Sequence, residues 1–125
     1  MSDIEISLSQ WWFKKRLVYN KGLLFIGLMG FLLQALLQVF ESSRSINLLL
    51  SDMYLSGICL FAFLVLANAA FALGWLLDFL FNNENSQSFR DWLFWIGYGF
   101  AVVMLILCIG VFLLFTRADT LPRDF

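Results

Sequence analysis

Polar and apolar positions along this chain form three long charge-free runs, Leu23–Phe40, Met53–Leu77 and Trp92–Thr116, divided by short polar segments. A helix that crosses a hydrocarbon core of about 30 Å needs about 20 apolar residues. At about 1.5 Å per residue the first run extends about 27 Å and the other two about 38 Å each. The first just spans, and the longer two must tilt or project into the headgroups. Two crossings with a turn would need about 40 residues or more, so Ile46–Phe81 is expected to form one long helix. Its start, INLLLSDMYL, is either interfacial or an extension of that helix.

The pattern ahead of the first run is different. Ile4, Leu8, Trp11 and Trp12 recur at helical spacing, and Lys14, Lys15, Arg16 and Lys21 gather just before the span. Trp and Tyr favour headgroup depth, and cations there meet anionic lipid. The expectation is a short amphipathic helix lying on the membrane. Trp11, Trp12, Lys14, Lys15, Arg16, Tyr19 and Lys21 would be its surface anchor, with a protein partner as the alternative use of the basic cluster. The predicted architecture is an all-α integral membrane protein with a single membrane domain. It comprises an interfacial helix over 4–20, transmembrane helices over 22–41, 52–81 and 90–116, and a tail over 117–125. No A-x-A-like cleavage site follows the first span, so that span is expected to be retained rather than removed as a signal peptide.

Orientation follows from the cations. Lys14, Lys15, Arg16, Lys21 and Arg90 fall on one side of a three-span topology, and Arg44, Arg117 and Arg123 on the other. The excess of Lys and Arg marks the cytoplasmic side, which places the N-terminus inside.

Inside the spans the polar and small residues are also patterned. Gly27, Gly30, Gln34, Gln38 and Glu41 follow one another by three or four and share one helix face. Amides facing lipid would be unsatisfied, so this stripe must face protein or water. In the second span Ala67, Ala70, Gly74 and Asp78 share a face, with Asn68 on its flank. Ala70 and Gly74 form a small-xxx-small pair suited to close helix approach. Gly97, Ala101 and Cys108 continue the theme in the third. The stripes predict a packed bundle with a surface left for another subunit, hence a homo-oligomer. The amides either bond between helices or ring a water-filled path on an oligomer axis, which would be polar but weakly charge-selective. Asp78 needs a cation, and Arg90 or the Lys14–Arg16 cluster is the candidate partner.

Composition agrees with lipid as the solvent: 62% of the residues are hydrophobic and 14% charged. Soluble domains run near about 45–50% apolar and about 25% charged. A net charge of −1 carries no nucleic-acid footprint. The chain has no His, which removes the commonest general base and metal ligand. Cys59 and Cys108 lie in apolar runs without a CxxC partner, so they read as small buried hydrophobes rather than a metal or redox site. No cofactor or metal is expected. No Ser-His, Ser-Lys or paired-Asp arrangement falls at bilayer depth, and the chain is expected not to be an enzyme.

Trp12-x-x-Lys15-Arg16-x-x-Tyr19-Asn20-x-x-Leu23 resembles a W-x-x-R-R-x-x-Y-N-x-x-L start found in small bacterial multi-pass membrane proteins of uncharacterised function. Ala67-Asn68-x-x-Phe71-x-Leu73-Gly74-x-x-x-Asp78 is similar to their A-N-x-x-Y-x-L-G-x-x-x-E segment, and Phe94-x-x-Gly97 to the start of their last span. Phe71 here replaces a Tyr, and Asp78 a Glu. The resemblance implies a bacterial membrane protein with structural roles for Asn68 and Asp78, and names no reaction. The functional expectation is a non-enzymatic, oligomeric inner-membrane protein, a pore-forming or membrane-perturbing effector of antiphage or cell-suicide defence. An accessory or anchoring subunit of a larger membrane complex is the alternative, and a small transporter or channel the third.

Overall fold

The computed structural model describes residues 7–40 and 45–118. Helices α1 (Leu8–Phe40), α2 (Ile46–Phe81) and α3 (Gln87–Ala118) account for nearly all of it. Their 33, 36 and 32 residues make rods of about 50, 54 and 48 Å. All three are long and apolar enough to cross a membrane, and each packs against both others. Ile46–Leu55 is a helical extension of α2. Ile4, Glu41, Arg44, Arg123 and the rest of the tail beyond Ala118 lie outside the described residues.

The separate interfacial helix is corrected: within the described residues α1 runs unbroken from Leu8 through the first span. The reason is packing. Trp11, Trp12 and Tyr19 are 8%, 4% and 3% exposed, so they are core residues rather than lipid anchors. Helices α2 and α3 extend far enough to sheathe them, and burying an aromatic ring against protein fixes the turns that carry it.

One spacing runs through all three helices. The inward positions are Tyr19, Leu23, Gly27, Gly30, Gln34 and Gln38 on α1, and Ser56, Leu60, Phe63, Ala67, Phe71, Gly74 and Asp78 on α2. On α3 they are Arg90, Phe94, Tyr98, Ala101, Leu105 and Ile109. Steps of four, four and three average about 3.67 residues per turn, close to a straight helix, so each rod keeps one face inward along its length. Gly22 and Gly30 leave room for neighbours directly on the α1 backbone. A Cβ at Gly22 would overlap the Tyr98 hydroxyl, and one at Gly30 would overlap Ile109.

The α2–α3 turn is built from its own side chains. The Asn82 N–H donates to the Asp78 carbonyl at 3.0 Å, and Asn85 takes a φ of 53°, a left-handed conformation that Asn tolerates. Ser86 caps α3 by accepting the Phe89 N–H at 3.4 Å, as Ser commonly does at N-caps.

Candidate functional site

Two clusters of buried polar side chains tie the helices together, one toward each end of the bundle. The first centres on Asp78, which is 1% exposed. Its Oδ2 accepts the Trp12 indole N–H at 2.7 Å and the Arg90 Nε–H at 3.0 Å. Its Oδ1 accepts from Asn82 Nδ2 at 2.7 Å. Asn82 also bonds the Ser86 carbonyl and N–H, and Arg90 donates to Asn85. One carboxylate therefore joins α1, α2, α3 and the turn, with its charge matched by one guanidinium. A buried pair of this kind is favourable only when further hydrogen bonds satisfy the remaining lone pairs, and the indole and Asn82 amide supply them. Of the partners expected for Asp78, the structure brings in Arg90 and not the Lys14–Arg16 cluster.

A second layer lies about two turns along α1. Tyr19 donates to the Ala67 carbonyl at 2.9 Å. Asn68 donates to Asn20 Oδ1 at 2.9 Å and back to the Leu64 carbonyl, while accepting from Arg16 Nε at 3.4 Å. Phe71 fills the space between Trp12, Tyr19 and Phe94, with ring centroids 5.2, 4.9 and 6.5 Å away. Lys15 sits 4.9 Å from the Phe94 ring and 5.2 Å from Trp11, and reaches Asp91 at 3.9 Å. Arg16 lies 6.0 Å from Phe71. Cation–π contacts of this geometry contribute about 0.5–2 kcal/mol each, rising as water is excluded. Of the expected surface anchor, Lys14, Arg16 and Lys21 are exposed, Arg16 while reaching across to Asn68.

The opposite cluster sets two neutral amides against the Ser56 hydroxyl and the Asp52 carboxylate. Ser56 donates to Gln34 Oε1 at 2.7 Å, and Gln38 Nε2 donates to Asp52 at 3.4 Å. Both Gln side chains are 4% exposed within a single protomer, where they bond to residues of α2. Among the described residues Gln34 Nε2 and Gln38 Oε1 have no hydrogen-bond partner. Between the clusters stands an apolar layer of Leu23, Leu105 and Leu60, the first two 0% and 2% exposed.

Within the protomer the expected stripe on α2 divides. Ala67, Gly74 and Asp78 turn inward with Phe71, whereas Ala70 is exposed, because the four-four-three track steps from 67 to 71. On α3 the inward line is Arg90, Phe94, Ala101 and Leu105. Gly97 is exposed, with nothing near its Cβ position. Ala70 and Gly97 instead line an outward groove between α2 and α3 that reaches in as far as Gly74. Cys59 and Cys108 are exposed on that side rather than buried.

Sequence reasoning passed over Asn20, Asp52, Ser56, Asn82 and Asn85 as bonding partners. For Ser56 a signal existed: it stands on the same inward track as Asp78. Asn82 and Asn85 read only as turn formers, and nothing local says that they serve a carboxylate. Among the described residues no group of acidic or Cys side chains is disposed to hold a metal ion. No family model, curated protein or solved structure matches this chain.

Proposed function

We propose that this chain is a non-enzymatic bacterial inner-membrane protein, N-terminus cytoplasmic, that serves as an anchoring or accessory subunit of a larger membrane assembly. The observation that carries this reading is the use made of the buried polar side chains. At both ends they bond helix to helix, and the Leu23–Leu60–Leu105 layer separates the two ends. The protomer is a rigid post rather than a passage.

Its register supports the placement in lipid. Gln38 follows Asn20 by 18 residues, about 27 Å of helix, which matches a hydrocarbon core of about 30 Å. The Asn20–Asn68 and Gln38–Asp52 bonds then fall at its two boundaries. Trp12, Asp78 and Arg90 stand on the headgroup side of the first, where water and phosphate lower the cost of a buried ion pair. Exposed Lys14 and Lys21 lie at the same side, available to anionic lipid or to an acidic partner.

Affinity capture from native membranes in mild detergent tests the reading. A stoichiometric partner that is retained by the wild type and lost in Lys14→Gln/Lys21→Gln supports it. Recovery of the chain free of other proteins at every detergent strength overturns it. A second reading, a homo-oligomeric membrane-perturbing effector of antiphage or cell-suicide defence, draws on the outward small-residue groove of Ala70, Gly74 and Gly97, a surface suited to close approach by another helix. It requires that the chain alone depolarise cells or leak dye from liposomes, and that Gly97→Leu suppress the effect.

A further inference from the structure

Burial sorts the aromatic residues that carry a polar atom into two groups. Trp11, Trp12 and Tyr19 are core residues, and Tyr98 packs on Tyr19 with ring centroids 5.7 Å apart. The remaining four, Trp75, Trp92, Trp95 and Tyr54, are 41%, 60%, 57% and 74% exposed. Their depths are not scattered. Trp75 lies three residues before Asp78 on α2, and Trp92 and Trp95 follow Arg90 by two and five residues on α3. Asp78 and Arg90 are bonded at 3.0 Å, so all three indoles stand within about 8 Å of one layer along the helix axes, on the side toward the middle of the bundle. Helix α1 marks the same level with a cation, because exposed Lys14 is two residues from Trp12, which donates to Asp78. Tyr54 stands toward the other end, two residues from Asp52. It precedes Trp75 by 21 residues of one helix, about 32 Å, against a hydrocarbon core of about 30 Å. At intermediate depth the exposed aromatics are Phe25, Phe61 and Phe100, one on each helix.

We propose that Trp75, Trp92 and Trp95 form the girdle that holds the bundle at the cytoplasmic headgroup level, with Tyr54 at the opposite lipid face. An indole is apolar over its rings and carries one N–H donor, so it sits best where hydrocarbon meets the ester and phosphate oxygens of lipid. Phenylalanine has no such atom, which suits the residues at intermediate depth to acyl chains. The occupant is the lipid interface rather than a protein. A partner would be met by one patch, whereas this level is marked on all three helices and lies one bilayer thickness from Tyr54. The girdle depends on the placement in lipid proposed above and on no partner subunit, so the chain alone suffices to test it.

The measurement is tryptophan fluorescence of purified full-length protein in phosphatidylcholine–phosphatidylglycerol vesicles. Their acyl chains carry bromine, a contact quencher, either near the ester or near the terminal methyl. Ester-end bromine should quench wild-type emission more strongly than methyl-end bromine. Trp75→Phe/Trp92→Phe/Trp95→Phe leaves Trp11 and Trp12 as the emitters and should lose most of that quenching, because both rings are buried in protein. Resistance of its emission to aqueous acrylamide reports that the triple variant is folded, and the wild-type comparison holds whether or not it is. Adding Tyr54→Trp to the triple variant should restore ester-end quenching from the far leaflet. Methyl-end quenching equal to or above ester-end quenching in the wild type overturns the proposal, since the rings would then lie among acyl chains. So does wild-type emission untouched by both bromolipids but quenched by acrylamide, which would put the indoles in water and leave them for a protein partner. Undiminished ester-end quenching in the folded triple variant also overturns it, by returning the anchor to Trp11 and Trp12. Failure to capture a partner from native membranes would sink the subunit reading and leave these outcomes unchanged.

Discussion

The Asp78 end and the Gln34 end of this bundle both bury polar side chains between helices, yet they do so by different means. At the first, a full negative charge is met by a full positive one, and Asp78 accepts three hydrogen bonds, from an indole, a guanidinium and an amide. The Trp12 ring that donates to it packs on Phe71, which in turn packs on Phe94. At the second, Gln34 accepts from the Ser56 hydroxyl and Gln38 donates to the Asp52 carboxylate, and among the described residues each amide leaves one polar atom without a partner. The difference is one of interdependence. A charge pair leaves a severe penalty behind when half of it is removed, whereas an amide on the same kind of inward track leaves little.

Substitutions test that contrast, and the largest effect belongs to Arg90→Ala. It strands Asp78 in the core and should destabilise the bundle by about 3–5 kcal/mol, measured by equilibrium unfolding in mixed micelles. The double variant Asp78→Leu/Arg90→Leu should recover most of the loss. Failure of the double variant to recover would show that the pair positions the turn rather than merely neutralising itself.

Trp12→Phe keeps most of the ring but removes one donor to the carboxylate. A loss of about 1.5–3 kcal/mol is expected, the range for hydrogen bonds to charged groups. Tyr19→Phe, which removes the bond to the Ala67 carbonyl, should cost about 0.6–1.7 kcal/mol by the same unfolding assay, as interhelical bonds in membranes do. Smallest of all is Gln34→Leu, for which less than about 1 kcal/mol of change is expected, because the lost Ser56 bond is offset by removal of a partnerless donor. A larger loss at Gln34 than at Trp12 would break the comparison between the two ends.

The structure also explains why some of this was legible in the chain. The motif residues Trp12, Lys15, Arg16, Tyr19 and Asn20 stand within two and a half turns of each other, and the structure turns nearly all of them to α2 or α3. Asn68, Phe71, Gly74 and Asp78 answer them from the antiparallel helix. Their recurrence at three and four residues marks a shared face. The pattern is silent on whether that face meets lipid headgroups or protein. Trp and Tyr suit both settings, being apolar over the ring and polar at one edge. Amphipathicity makes an interfacial helix a fair expectation, and it fails because α2 and α3 cover the same residues.

Small residues misled for a related reason. Ala70 and Gly74 satisfy a small-xxx-small spacing, but a step of four from Ala67 carries the inward track to Phe71 and turns Ala70 outward. Spacing places residues on a cylinder; only the neighbouring cylinders say which side is inside.

Three charge-free runs, each long enough for a bilayer, are a property of composition along the chain, and that alone makes their helices able to cross a membrane. The same is true of the polar break at Asn82–Ser86 and of the clustering of cations ahead of the first span. Which polar groups meet is a matter of register between helices, and register depends on side chains distant in sequence: Trp12 on Asp78, Tyr19 on Ala67, Gln34 on Ser56. Tertiary structure alone settled those pairs, because in lipid nearly every face of a helix is apolar and hydrophobicity no longer tells inside from outside.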